Sequence, residues 1–117
     1  MTELVAKRIY EPADASDGFR ALVDRLWPRG VSKERAALDV WWKELAPSAE
    51  LRTSWHHDPS RYAEFAAAYR DELAGRDLVA EALEVIRAHD RVTLLYSAHD
   101  EHHNQALVLR DYLAARV

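Results

Sequence analysis

The pattern of hydrophobic and polar positions predicts two strands at the start of the chain. Residues 4–10 (LVAKRIY) and 19–26 (FRALVDRL) are rich in β-branched, aromatic and other apolar residues, as half-buried strands are. The polar segment 11–18 predicts a loop between them. Because that loop is too short to hold a crossover helix, an antiparallel pairing of the two strands stays open beside a parallel one.

A rigid turn and a third strand follow. The WPRG segment at 27–30 ends the second strand, because proline lacks an N–H donor and glycine adopts the positive φ of tight turns. Ser32 predicts the N-cap of a short helix over 33–37. Residues 40–45 (VWWKEL) predict the third strand, which ends before Pro47. Its alternation places on one face Val40, Trp42 and Glu44, and on the other Trp41, Lys43 and Leu45.

The second half of the chain alternates helical periodicity with one clear strand. Ser48 and Asp58 each precede apolar residues that recur at intervals of three and four, which predicts the N-caps of two helices, the second ending at Gly75. The same periodicity predicts a helix over 78–86. Residues 92–96 (VTLLY) form a continuous apolar run, which is typical of a strand buried on both faces of a parallel sheet.

This succession of strands and helices predicts the fold class. A final helix, for which Asp100 is well placed as N-cap, runs through Leu113. Strands separated by helices favour an α/β fold over a helical bundle. We therefore predict a single three-layer domain over 1–117, with a small, mostly parallel sheet flanked by helices in a Rossmann-like arrangement.

Composition restricts the functional classes. The 117 residues are 49% hydrophobic and 31% charged, as expected of one globular domain. The chain has no cysteine, which excludes disulfides, thiolate metal sites and cysteine nucleophiles. It has neither a signal-peptide pattern nor an apolar stretch of the ~20 residues that a membrane helix needs, so we expect a cytoplasmic protein. A formal net charge of -4 argues against binding nucleic acid by bulk electrostatics.

Polar clusters follow three of the predicted strands. Ligands of open α/β sheets bind beyond the carboxyl ends of the strands, and guanidinium groups match the oxygens of phosphates and carboxylates. We therefore predict a cleft that binds a small anionic molecule: a phosphate, a nucleotide or a carboxylate. Taken singly, these residues fit structural roles as well, such as a salt bridge of Asp24 with an arginine. The predicted ligand-binding residues are Arg25, Trp27, Arg29, Lys43, Ser48, Arg52, Ser97 and Asn104.

Three residues could transfer protons and are the predicted catalytic residues: Asp24, Asp100 and His103. A histidine titrates near neutral pH, and a carboxylate orients it or acts as a base when burial raises its pKa. The structural alternatives are that Asp100 caps the last helix, that His103 lies on the surface and that Asn104 makes helix-start hydrogen bonds.

The histidines raise the question of a metal site. Within HDEHHN at 99–104, His99 and His103 are four residues apart and would share one face of a helix. Helical zinc proteases place glutamate next to one of the two histidines, whereas Glu101 is centred between them. We therefore predict no metal site. With three glycines the chain also has no P-loop or GxGxxG motif, and its residues point to no particular cofactor.

Three stretches, in this order, closely resemble the YeaO-like family of small bacterial domains of unknown function: DGFRALVDRLWPRGVSKE, LDVWWKELAPSAELRTSWHHDPSRYAEF and VTLLYSAHDEHHNQALVL. The resemblance spans nearly the whole chain and implies an α/β fold without an activity. His56 departs from the family pattern, in which an aromatic pair precedes a single histidine. The positions that match the family's motifs include Asp24, Arg25, Trp27, Pro28, Arg29, Gly30, Lys43, Pro47, Ser48, Leu51, Arg52, His57, Asp58, Ser97, Asp100, His103 and Asn104.

Three hypotheses about function follow. The first is an enzyme-like site in which Arg25, Arg29 and Lys43 hold the anion while Trp27 lines the pocket. The second is a non-catalytic module that binds a small molecule or a protein through the same cleft. The third is a DNA-binding regulator, since some members of the resembling family carry a MarR label. The acidic or mixed helices argue against the third, because a helix-turn-helix repressor needs a basic recognition helix.

Overall fold

In the computed structural model, which describes residues 2–117, four parallel strands form one sheet. They are β1 (Glu3–Arg8), β2 (Phe19–Leu22), β3 (Val40–Trp41) and β4 (Arg91–Tyr96), in the spatial order β1-β4-β2-β3. β4 pairs along its length with β1 and over four residues with β2. This arrangement confirms the predicted α/β class and the buried fourth strand.

Five α-helices complete the fold over the described residues: α1 (Lys33–Ala36), α2 (Ala49–Trp55), α3 (Tyr62–Ala74), α4 (Leu78–Arg87) and α5 (Gln105–Ala114). Ser32 and Ser48 cap α1 and α2 as predicted, because each side chain accepts the backbone N–H three residues further on. Asp58 caps a 3₁₀ turn that leads into α3, and α3 ends before Gly75.

Different parts of the chain cover the two faces of the sheet. Val92 and Leu94 of β4 pack in the larger core, to which α3, α4 and α5 contribute. Leu95 faces the opposite side and packs in a smaller core with Leu22 of β2 and Ala36 of α1. The chain therefore leaves β2 toward one face of the sheet and leaves β4 toward the other.

The connection from β1 to β2 shows that the antiparallel alternative is wrong. Both strands run parallel to β4, which lies between them, so they do not pair with each other. Asp17, which is 5% exposed, anchors this connection. Its carboxylate accepts hydrogen bonds from Lys7 Nζ at 2.9 Å and from Arg20 Nη1 at 2.5 Å, and Arg20 Nη2 donates to the carbonyl of Ala36 at 2.8 Å.

β2 ends at Leu22 and not at the predicted Leu26, whose side chain is 67% exposed. The ladder stops because the carbonyl of Asp24 accepts the indole N–H of Trp41 at 2.7 Å in place of a strand partner. The guanidinium of Arg25 likewise turns away and donates to the carbonyls of Ala46 and Pro47.

β3 is also shorter than predicted, because Lys43–Leu45 forms a 3₁₀ turn. The predicted alternation of faces is confirmed over 40–42, where Val40 and Trp42 pack with the larger core and Trp41 packs with the smaller one, but it is wrong at Leu45. Trp42 and Leu45 were assigned to opposite faces, yet both are buried in the larger core. A 3₁₀ turn has three residues per turn and therefore brings side chains three positions apart, such as Trp42 and Leu45, to the same side, whereas a strand places them on opposite faces.

α5 begins at Gln105, later than the sequence indicates. Asn104 is its N-cap: Oδ1 accepts the N–H of Leu107 at 3.0 Å and Nδ2 donates to the carbonyl of Asp100 at 2.9 Å. Asp100 instead closes the preceding turn, where Oδ1 accepts the N–H of His103 at 3.0 Å. The assignment of Asp100 as cap of the last helix is thus wrong. Asn104 makes the hydrogen bonds at the start of the helix that were given as the structural alternative for it.

No helix within residues 2–117 is long and apolar enough to cross a membrane.

Candidate functional site

A cleft of about 420 Å³ lies at the carboxyl ends of the strands. Small-molecule pockets in proteins measure roughly 300–1,000 Å³. The cleft lies where the connections from β2 and β4 diverge to opposite faces, which is the place where open α/β sheets bind ligands. The polar side chains that line it are Arg8, Asp24, Arg25, Arg29, Arg52, His57, Ser97, His99 and Gln105.

Asp24 lies at the base of the cleft and is 7% exposed. Its Oδ2 accepts the backbone N–H of Ser97 at 3.0 Å and the Ser97 hydroxyl at 2.5 Å, and its Oδ1 accepts Nε2 of Gln105 at 2.5 Å. Burial raises the pKa of Asp24, although the hydrogen bonds from Ser97 and Gln105 and the nearby charge of Arg52 act in the opposite direction. The carboxylate therefore ties the ends of β2 and β4 together.

Two arginines of the cleft are held by neutral carbonyl groups. Arg8 donates through Nε to the carbonyl of Ala98 at 2.9 Å, and Arg25 donates through Nε to the carbonyl of Pro47 at 3.2 Å. These bonds fix the position of each guanidinium while leaving its positive charge unpaired. Both groups are thus oriented before any ligand arrives.

The other two arginines have unused donors. Arg52 Nε is buried without a hydrogen-bond partner among residues 2–117, and the guanidinium of Arg29, on the exposed turn, makes none there either. Within that described part of the chain, no salt bridge with an aspartate or glutamate is formed by any of the four arginines of the cleft, Arg8, Arg25, Arg29 and Arg52. The cleft therefore has an excess of positive charge in a protein of net charge -4.

The turn after β2 is built as a rigid wall of the cleft. Trp27 donates its indole N–H to the carbonyl of Val31 at 2.6 Å, and its ring meets that of Trp41 edge-on at 5.4 Å between centroids. Tyr10 donates its hydroxyl to the carbonyl of Arg29 at 2.9 Å. Gly30 has the positive φ, 77°, that the sequence predicts for this turn.

Two residues beside the cleft have unusual backbone angles. His56 and His57 follow α2 with φ of 54° and 52°, in the left-handed region that costs non-glycine residues about 1–2 kcal/mol each. Trp55 donates its indole N–H to the carbonyl of Asp58 at 2.7 Å, and its ring packs against the His57 imidazole at 4.7 Å. This conformation places both Trp55 and His57 on the cleft.

Of the predicted site residues, the structure brings Asp24, Arg25, Trp27, Arg29, Arg52 and Ser97 together in the cleft. The remaining five lie elsewhere. Lys43 is exposed, with its ammonium 5.1 Å from the ring centroid of Trp41, and Ser48 caps α2 while donating to Glu72 Oε2 at 2.6 Å. Asn104 is fully buried as the cap of α5. Asp100 and His103 pair with each other at 2.9 Å outside the cleft.

The prediction missed seven polar or aromatic residues of the cleft: Arg8, Tyr10, Trp55, His57, Phe65, His99 and Gln105. The rule that selected residues after β2 and β4 finds Arg8 and Tyr10 when it is applied to the end of β1. Gln105 carries no such signal, because an amide at the first position of a helix is common and its partner Asp24 is distant in sequence.

The histidines form no metal-binding group in the described part of the chain, where no three His, Cys, Asp or Glu side chains are placed to hold an ion. The idea that His99 and His103 share a helix face is wrong, because both precede α5. His99 lines the cleft, whereas the ring of His103 packs edge-on against Tyr62 at 5.2 Å.

Fold and site together define a small α/β domain with an arginine-rich cleft at the carboxyl edge of a parallel sheet. The chain belongs to the family described as the inactive DUF488-N3 subclade, whose model matches residues 3–117. The Escherichia coli K12 protein named "Uncharacterized protein YeaO" is 50% identical over 107 residues, which cover 92% of this chain and 93% of that protein. This likeness confirms the resemblance to the YeaO-like family.

More distant relatives cover the chain equally well. "Uncharacterized protein Rv3073c" of Mycobacterium tuberculosis H37Rv and "Uncharacterized protein Mb3100c" of Mycobacterium bovis are each 38% identical over 115 residues, with 98% of this chain and 97% of the relative covered. No solved structure matches the chain.

Proposed function

We propose that the cleft binds a small anionic ligand and that the protein is a binding module and not an enzyme. The observation that carries the proposal is the set of arginines Arg8, Arg25, Arg29 and Arg52, which line one cleft and form no salt bridge with an aspartate or glutamate among residues 2–117. Guanidinium groups that outnumber the carboxylates of a partly enclosed site attract phosphate and carboxylate oxygens. A phosphate, a nucleotide or a carboxylate meets this requirement.

The choice of a binding module rests on how the candidate catalytic groups are used. Asp24 accepts three hydrogen bonds from Ser97 and Gln105, which use three of the about four acceptor positions of its carboxylate and fix its orientation in the protein. Asp100 and His103 are not among the residues that line the cleft. The description of the family as an inactive subclade agrees with this choice. We further expect a cytoplasmic location and neither membrane nor nucleic-acid binding.

Calorimetric titration with inorganic phosphate and with small phosphate esters and carboxylates tests the proposal. We expect saturable one-to-one binding that weakens at least about tenfold in Arg52→Met and in Arg29→Ala, because each variant removes an unpaired charge from the cleft. Arg70→Met is the matched control, since Arg70 is an exposed arginine of α3.

Binding by the wild type that all three arginine variants retain would contradict the assignment of the cleft. The division between binding and catalysis is tested with the same mixtures by phosphorus NMR over several hours. The binding-module proposal predicts unchanged ligand spectra, and release of inorganic phosphate from a bound ester by wild type but not by Arg52→Met would contradict it.

A further inference from the structure

The hydrogen bonds of Asp24 determine which of the polar groups around it are donors and which are acceptors. A backbone N–H can only donate, so the 3.0 Å bond from Ser97 N identifies Asp24 Oδ2 as an acceptor. The Ser97 hydroxyl approaches the same oxygen at 2.5 Å, and Gln105 Nε2 approaches Oδ1 at 2.5 Å. An ionised carboxylate accepts hydrogen bonds and donates none, so Ser97 and Gln105 are both donors to it.

Because Ser97 and Gln105 donate to Asp24, their remaining polar atoms can only accept hydrogen bonds from a ligand. The Ser97 hydroxyl donates its hydrogen bond to Asp24, so the lone pairs of Oγ remain available to accept one. The amide of Gln105 is held with its NH₂ group toward Asp24, which leaves Oε1 without a donor among residues 2–117. Both side chains line the cleft. The base of the cleft therefore presents hydrogen-bond acceptors, whereas its arginines present donors and positive charge.

A ligand of this site needs two different parts. Phosphate or carboxylate oxygens satisfy Arg29 and Arg52 but would be repelled by the lone pairs of Ser97 and Gln105 and by the charge of Asp24. Hydroxyl or amino groups satisfy the acceptors. Trp27 also lines the cleft, and because its indole is held by the carbonyl of Val31 it gives the cleft a fixed aromatic surface against which the carbon skeleton of a ring can pack.

We propose, on the basis of the proposed anion site, that the ligand is a phosphate ester of a hydroxylated compound, of the sugar phosphate class. Its phosphate lies against the arginines, and its hydroxyl groups donate to Ser97 Oγ and Gln105 Oε1. A site with polar groups built for a ligand hydroxyl discriminates against an analogue that lacks it, because those groups are then left unpaired.

The test compares two esters of similar length, ribose 5-phosphate and n-pentyl phosphate, with inorganic phosphate as the reference. In calorimetric titrations of the wild type we expect ribose 5-phosphate to bind about tenfold more tightly than pentyl phosphate. In Gln105→Met, which keeps the length of the side chain but loses the acceptor, ribose 5-phosphate is expected to fall to the affinity of pentyl phosphate. His102→Ala, on the exposed loop before α5, is the control that retains the preference.

The outcomes separate this inference from the proposed function. Equal affinities of the two esters in the wild type, or tighter binding of pentyl phosphate, would overturn the inference and leave the anion site intact. A preference that persists in Gln105→Met would overturn the role of Gln105. Failure of inorganic phosphate and of both esters to bind would overturn the proposed function and the inference together. Circular dichroism and thermal unfolding of each variant confirm that it is folded before titration.

Discussion

Asp24 and Ser97 are joined by two hydrogen bonds, from the Ser97 backbone N–H at 3.0 Å and the Ser97 hydroxyl at 2.5 Å to the same carboxylate oxygen. The pair links the ends of β2 and β4, where the chain leaves the sheet in opposite directions. These two bonds therefore hold the segments that follow β2 and β4 together at the edge of the sheet where the cleft lies. A buried carboxylate in a basic cleft affects both the stability of the protein and the affinity of its ligand.

Asp24→Asn should separate these two effects. The amide replaces one acceptor oxygen with an NH₂ group, so we expect the free energy of unfolding to fall by about 1–3 kcal/mol. Inorganic phosphate should bind a few-fold more tightly, because a negative charge has left the site. Urea unfolding and calorimetric titration measure the two quantities, with Asp77→Asn as control, since Asp77 is exposed and makes no capping bond. Weaker phosphate binding in a folded Asp24→Asn protein would contradict this account.

The buried pair of Asp17 and Arg20 predicts a dependence of stability on pH. Burial by itself raises the pKa of Asp17, but hydrogen bonds from Lys7, from the backbone of Asp14 and from Arg20 outweigh burial and lower the pKa below 3.8. A depressed pKa in the folded state contributes stability above the unfolded pKa, and this contribution disappears as the pH falls through the folded pKa.

Asp17→Asn should therefore lower the free energy of unfolding by about 3 kcal/mol at pH 7, since it leaves the buried charge of Arg20 unpaired. The difference from wild type should be constant between about pH 5 and 8 and shrink below about pH 4. Asp71→Asn, at an exposed position of α3, is the control. A difference that grows in acid would show that the sign of the linkage is reversed.

Gly18 and Gly30 both have positive φ, 66° and 77°, but only one of them is enclosed. A Cβ at Gly18 would overlap the backbone carbonyl of Arg91, whereas a Cβ at Gly30 would meet nothing within 4 Å. We expect Gly30→Ala to cost about 1 kcal/mol from backbone conformation alone and Gly18→Ala to cost about 3 kcal/mol or more. Urea unfolding of the two variants checks this order, and equal losses would contradict the close approach at Gly18.

The sequence predicts most of the fold because its strongest signals are local. The apolar run 92–96 and the serine caps at Ser32 and Ser48 depend on neighbouring residues, and the structure confirms each. The ends of β2 and β3 depend on distant contacts. The indole of Trp41 takes the carbonyl of Asp24, a bond that a single-strand pattern cannot reveal.

The same distinction applies to the cleft. Arg29 and Ser97 follow strands, so the rule for parallel sheets places them correctly once the strands are known. Lys43 and Ser48 were expected beside them, but the 3₁₀ turn at the end of β3 moves Lys43 onto the surface and Ser48 is needed to cap α2. Gln105 could not be predicted, because its role depends on the side chain of Asp24 from the other half of the chain.

We expect anions to bind in this cleft and not to exposed basic side chains in general. A titration of ¹⁵N-labelled protein with inorganic phosphate, followed residue by residue by NMR, tests this expectation most directly. The account predicts saturable shifts of the Ser97 backbone amide, the Trp27 indole N–H and the Arg52 side chain, all with one dissociation constant. Shifts that do not saturate, or that centre on exposed arginines such as Arg70 and Arg87 while the cleft signals stay in place, would contradict it.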